Sequence, residues 1–185
     1  MRTELVVSAQ AGDRQAFDAL ATALYDRLYA LARRILRDGY ASEEAVQECL
    51  IRGWRELRSL RDPSRFEAWM HRLLVNSCHD QGRKARRFAV EVAEIKLDRS
   101  DPADDFARVV NADELERGFL RLPVAHRAVL VLTHYLGMSA PEVSEVLGIP
   151  VGTVHSRLHY AVRAMRAVLS RSSVEAPAGA LENGR

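Results

Sequence analysis

Three side chains, His71, Cys78 and His79, stand at i, i+7 and i+8, a spacing that shares one helix face and would suit a metal ion, with Cys49 as a further ligand. The periodicity of the stretch argues against such a site, because Cys78 falls toward its apolar side and His79 toward its polar side. No Ser/His/Asp arrangement, glycine-rich phosphate loop or paired-carboxylate site stands out. The expectation is a chain that is no enzyme and takes no cofactor or metal.

Recognition chemistry is better supported. "SAPEVSEVLGIPVGTVHSRLHYAVRAM", from Ser139 to Met165, reads as two helices joined by a tight turn. Ser139 is the expected N-cap, Pro141 lies in the first turn, and Glu142 completes a capping box. Ser144 is small where the helices must cross, Gly148 supplies the turn, and Val143, Leu147, Ile149 and Val154 are the apolar pegs. On the second helix Val154, Leu158, Ala161, Met165 and Val168 share one face. That leaves Thr153, His155, Ser156, Arg157, His159, Tyr160 and Arg163 outward. No acid occurs between Gly148 and Ser170, a one-signed surface suited to a phosphate-lined groove. So few cations imply modest, weakly specific affinity for duplex DNA, so something else must add binding energy.

Two other clusters stand upstream. Glu43, Glu44, Gln47 and Glu48 open a helix with acids and an amide, a face that suits a basic partner. Arg72, Asn76, His79 and Asp80 project from one side of a later helix, which ends in the basic run Arg83, Lys84, Arg86 and Arg87.

The elements that must position these groups are all helical. The chain has 185 residues, 48% of them hydrophobic, enough for two small domains. Its net charge of only +2 makes local clustering of arginine, not total charge, the source of any attraction to a polyanion. The two cysteines lie inside helical patterns, which points to buried thiols in a reducing compartment. No signal-peptide core and no apolar run of roughly 18 residues occurs, so a cytoplasmic chain without membrane insertion is expected. Helical periodicity predicts a short helix over residues 2–10 and a long one from Gly12 to Leu36. A third helix is expected from about Glu43 to Leu57, capped by Ser42 and burying Val46, Cys49, Leu50, Trp54 and Leu57. Pro63 breaks the pattern in "RSLRDPSRF", and another helix follows from about Arg65 to Arg86 with Phe66, Trp69, Met70, Leu73, Leu74 and Ser77 on its inner face. Between Phe88 and about Ala112 a proline and scattered acids predict a linker. Helices over Asp113–Leu122 and Pro123–Leu136 then lead into the helix-turn-helix, and a small, polar tail follows Ser172.

In order along the chain, "AQAGDRQAFDALATALYDRLYALARRIL", "SEEAVQECLIRGWREL", "SRFEAWMHRLLVNSCHDQGRKARR" and "LGIPVGTVHSRLHYAVRAM" resemble regions 1.2/2.1, 2.2, 2.3–2.4 and 4.2 of the extracytoplasmic-function (ECF) sigma factors. These are the small promoter-specificity subunits of bacterial RNA polymerase. The resemblance implies an all-α chain of two small domains: sigma region 2 over residues 1–87, a flexible linker over 88–112, sigma region 4 over 113–171 and a tail over 172–185. It implies core RNA polymerase (beta and beta-prime subunits), promoter DNA and an anti-sigma factor as partners. Glu43, Glu44, Gln47 and Glu48 would meet the polymerase clamp. The loop with Arg61, Ser64, Arg65 and Phe66, beside Trp69, would hold a flipped minus-ten base. Arg72, Asn76, His79, Asp80, Arg83 and Lys84 would continue that contact, with Asn76 the foremost base reader. Thr153, His155, Ser156, Arg157, His159, Tyr160 and Arg163 would meet the minus-thirty-five element. The chain departs from the family at Ala41 and Ser42, where acids are usual, and at His155, Tyr160 and Val162, where cations are common. Fewer permanent charges imply a weaker, more base-specific and pH-sensitive upstream contact. The linker acids Asp98, Asp101, Asp104 and Asp105 would imitate a nucleic-acid backbone within polymerase. A free-standing helix-turn-helix regulator is the alternative, but it leaves Glu43 to Arg87 without a purpose.

Overall fold

A computed structural model describes residues 2–96 and 112–174. Every regular element among them is helical: α1 (Arg2–Gln10), α2 (Arg14–Leu36), α3 (Gly39–Glu56), α4 (Phe66–Lys96), α5 (Ala112–Arg121), α6 (Val124–His134), α7 (Ala140–Leu147) and α8 (Val151–Val174). Two 3₁₀ turns, Leu57–Ser59 and Pro63–Arg65, join α3 to α4. The first four helices make one module and the last four another.

Caps set the boundaries. Asp13 accepts from the Ala16 N–H to start α2, and Asp38 accepts from the Ala41 N–H at 2.7 Å to start α3. The expected start of α3 at Glu43 is therefore corrected by one turn. Ser42 is no cap; it is buried, and its hydroxyl donates to the Asp38 carbonyl. Helix α4 runs ten residues past the expected Arg86, into the segment read as linker. The reason is propensity: "FAVEVAEIK" holds no glycine or proline, so scattered acids do not end a helix already under way. Linker acids Asp98, Asp101, Asp104 and Asp105 and the tail beyond Val174 lie outside the described residues.

In the first module Leu28, Leu31, Ile35, Val46, Met70 and Leu74 are fully buried where α2, α3 and α4 meet. Each such side chain contributes roughly 1.5–3 kcal/mol by leaving water. In the second module Val129, Leu132, Val143 and Val154 do the same work for α6, α7 and α8. The two sets form one continuous apolar cluster, because α6 packs on α2 and α4, and α7 packs on α4. Cys49 and Cys78 are free and fully buried, and burial pushes both thiols up to about 12.

Candidate nucleic-acid interface

The helix-turn-helix is built as its sequence prescribes, with added hydrogen bonds. Glu142 accepts from both the N–H (2.7 Å) and the hydroxyl (2.6 Å) of Ser139, which holds its carboxyl below the usual carboxylate range. Gly148 sits in the left-handed region (φ 64°, ψ 36°), a conformation that side chains resist. Ser144 is more than small: its hydroxyl donates to the Ile149 carbonyl at 2.6 Å, tying α7 to the turn. On α8, Val154 and Ala161 are fully buried, while His155, Ser156, His159, Tyr160 and Arg163 are exposed. Thr153 is half-buried, and its carbonyl accepts from the Ser156 hydroxyl. The Tyr160 ring leans on His126 of α6 at 4.8 Å between centroids, so its hydroxyl end faces outward on a braced ring.

Arg157 departs from expectation. It is half-buried, and its charge acts on His79 of the first module and on His126 of its own. The outward pattern of α8 missed this because helix periodicity knows only the helix's own module.

Around the loop before α4, Asp62 organises the turn. Its carboxylate accepts from the N–H (2.9 Å) and hydroxyl (2.6 Å) of Ser64, and those bonds hold it below its ordinary range. The Ser64 hydroxyl proton is thereby committed, leaving the oxygen as an acceptor. Arg61 and Arg65 are exposed, and Arg65 pairs with Glu145 of α7. Phe66, read both as an inner-face residue of its helix and as a stacking partner for a base, is 5% exposed and belongs to the core, which corrects the stacking role. Trp69 is half-buried with its ring tilted against Phe66 at 6.2 Å, so its face rests on the core side of the loop.

Along α4, Arg72, Asn76, Arg83 and Lys84 are exposed, and His79 and Asp80 half-buried. Asp80 is shared between Arg83 and, at 3.9 Å, Arg52 of α3. Burial, then Arg157 and Arg83, hold the His79 imidazole below its ordinary value. His71 is a buried core residue, pushed down by desolvation, and it does not join His79. Among the described residues no cluster of three His, Cys, Asp or Glu is arranged to hold a metal.

On α3 the structure adds residues the periodicity hid. Glu43, Gln47 and Glu48 are exposed, and Glu44 is half-buried. Ile51 (49% exposed) and Trp54 (39% exposed) continue the Glu43–Gln47 stripe at i+8 and i+11. Trp54 was expected inside; it instead lies against Phe17 at 5.2 Å with one edge in solvent. The stripe therefore offers acids, an amide and apolar area together. No described helix is long and apolar enough to cross a membrane.

Residues 20–88 match the family model "Sigma-70 region 2", and residues 112–165 match "Sigma-70, region 4". The chain is 34% identical over 154 residues to the ECF RNA polymerase sigma factor SigM of Mycobacterium tuberculosis, spanning 83% of this chain and 77% of the relative. It is 36% identical over 167 residues to SigL of the same organism, spanning 84% and 92%. A solved structure of CnrH in complex with the cytosolic domain of CnrY is similar over 92% of this chain and 97% of that one, with a TM-score of 0.63 and 28% identity.

Proposed function

Because the chain belongs to the ECF sigma factors, it directs core RNA polymerase to specific promoters, and we propose that the faces described above divide that work between them. The observation that carries this division is the pairing, in one chain, of an acid-free recognition helix with a helix whose exposed side carries Arg72, Asn76, Arg83 and Lys84. The first module spans residues 1–87 and the second 113–171. The second grips duplex at the minus-thirty-five element through Thr153, His155, Ser156, His159, Tyr160 and Arg163, and through Arg157 once it swings free.

The first module opens the duplex. Separating base pairs forfeits stacking of about 1.4 kcal/mol per step, so the strand released must be captured. Arg61, Ser64, Arg65 and the exposed edge of Trp69 form the capture loop, with Asp62 fixing its shape. Asn76 reads a base edge, and Arg72, Arg83 and Lys84 hold phosphates. Asp80 limits the freedom of Arg83, which favours register over raw affinity. The α3 stripe of Glu43, Gln47, Glu48, Ile51 and Trp54 docks on the polymerase clamp, with Glu44 at its edge.

The protein itself catalyses nothing; polymerase does the chemistry, in the cytoplasm. An anti-sigma factor restrains it, and the cleft of about 810 Å³ between the modules fits an acidic amphipathic segment: Leu36, Tyr40, Leu122 and Val124 give apolar walls beside Arg86 and Arg127. Arg127 is 7% exposed and its Nε has no partner in the protein. Run-off transcription with core enzyme tests the function. Product appearing only when this chain is added is expected; binding of an operator by the chain alone, with no initiation at any promoter, would overturn it.

A further inference from the structure

His126 lies in the first turn of α6, a helix that packs along α8. Its ring centroid is 4.8 Å from that of Tyr160, with the planes tilted by 58°. At that separation a tilted ring pair attracts beyond the area it buries. The charge of Arg157 also acts on the imidazole, and Arg157 stands three residues before Tyr160, on the same side of α8. One side chain of α6 is therefore shared by two residues of the recognition surface.

The imidazole is half-buried, and its Nδ1 is buried with no hydrogen-bond partner in the protein. No hydrogen bond at that atom fixes the ring, which leaves packing against Tyr160 to do so. Burial first, and then Arg157, hold His126 below its ordinary value, so near neutral pH it packs as an uncharged ring.

Tyr160 is 53% exposed and stands where the family commonly places a cation. A compact cation attracts a phosphate from many directions, whereas a hydroxyl must be aimed to make its hydrogen bond. A free tyrosine side chain loses the freedom of its torsions when it meets the duplex, and that loss weakens binding. A ring already held by His126 has lost it on folding.

We propose that His126 is a positioning residue for the minus-thirty-five contact: it holds the Tyr160 ring so that the hydroxyl meets the duplex at one place, and preorganisation offsets the cation this chain lacks there. The proposal rests on the reading of α8 as the minus-thirty-five helix. Tyrosine has only two torsions to fix, so the gain in affinity is roughly two- to fivefold. It comes without added charge, so the salt dependence of binding is left as it is.

The test measures binding of the full-length chain to a duplex carrying the upstream element of a promoter on which the chain supports run-off. His126→Ala, His126→Phe, Tyr160→Ala and the double variant His126→Ala/Tyr160→Ala are compared with the unmutated chain. The expected result is that His126→Ala weakens binding roughly two- to fivefold at an unchanged salt slope. His126→Phe, which keeps a ring against Tyr160, restores most of the loss, and His126→Ala has no further effect once Tyr160 is alanine. Unmutated affinity in His126→Ala overturns the proposal. So does an equal loss with and without the Tyr160 ring, the mark of a residue that only holds its module together. Tyr160→Phe, which keeps the ring pair and removes the hydroxyl, gives a second reading should His126→Ala fail to fold: a loss close to that of Tyr160→Ala is expected, and no loss overturns the aimed hydroxyl. If neither Tyr160→Ala nor Arg163→Ala alters binding, the reading of α8 fails and the brace with it. If both weaken binding and His126→Ala does not, the brace alone fails.

Discussion

Helices α4 and α8 both turn arginines to solvent, yet their surroundings differ. On α8 no acid stands between Gly148 and Ser170, so its cations are uncommitted within their own helix. On α4, Asp80 takes up Arg83 and draws in Arg52 from α3. A duplex groove rewards the first arrangement, because two phosphate strands neutralise every cation offered. Capture of single bases would reward the second, where restrained side chains hold a register. The contrast is one of commitment: the α8 cations meet no acid on their own helix, whereas Asp80 restrains Arg83 on α4.

The largest effect that would break this comparison comes from the turn that aims α8. Gly148→Val places a branched side chain in the left-handed region and against Arg72, at a cost of about 2 kcal/mol. Denaturant unfolding should show that loss, and minus-thirty-five duplex binding should fall with it. Wild-type stability in this variant would mean that the turn does not depend on its glycine. Next, Asn76→Ala should lower run-off from a melted-region-dependent promoter by about 1–3 kcal/mol in free-energy terms, roughly 5- to 150-fold, while upstream duplex binding stays unchanged. Equal losses in both assays would erase the distinction between the helices. A smaller change is expected for Arg163→Ala. The slope of log affinity against log salt for upstream duplex should drop by about one, with single-strand binding unaltered.

The smallest effect concerns protons. His79 faces Asp80, Arg83 and Arg86 on its own helix, Arg157 from α8, and Arg52 through Asp80; His126 of α6 also faces Arg157. Burial first, and then the arginines, hold both imidazoles below their ordinary value of 6.5. Unfolding relieves that depression, so the unfolded chain takes up protons first. The stability of the fold is then unaffected by these groups above about pH 6.5 and falls progressively as pH drops below it. Denaturant unfolding should show stability declining on acidification below about pH 6.5, and His79→Gln should flatten that response.

Much of the site was legible before any coordinates. The helix-turn-helix followed from Ser139, Glu142, Gly148 and the pegs Val143 and Val154, because capping and turn chemistry act over a few residues. The acids of α3 and the basic side of α4 followed from spacing alone. Trp54 did not: at a helix end the period does not say which neighbour covers a ring, and Phe17 decided it, leaving one edge in solvent. Ser42 misled because Asp38, one turn earlier, was the better-placed acceptor.

By itself the sequence determined the all-helical fold class and the capped helix-turn-helix, since each depends on periodicity and local hydrogen bonding. Only the tertiary structure decided that Arg65 and Arg72 point across to the other module and that Gly82 is needed where α4 meets α6. Contacts between residues some 70 or more positions apart carry no local pattern; they are set by which surfaces meet once both modules have formed.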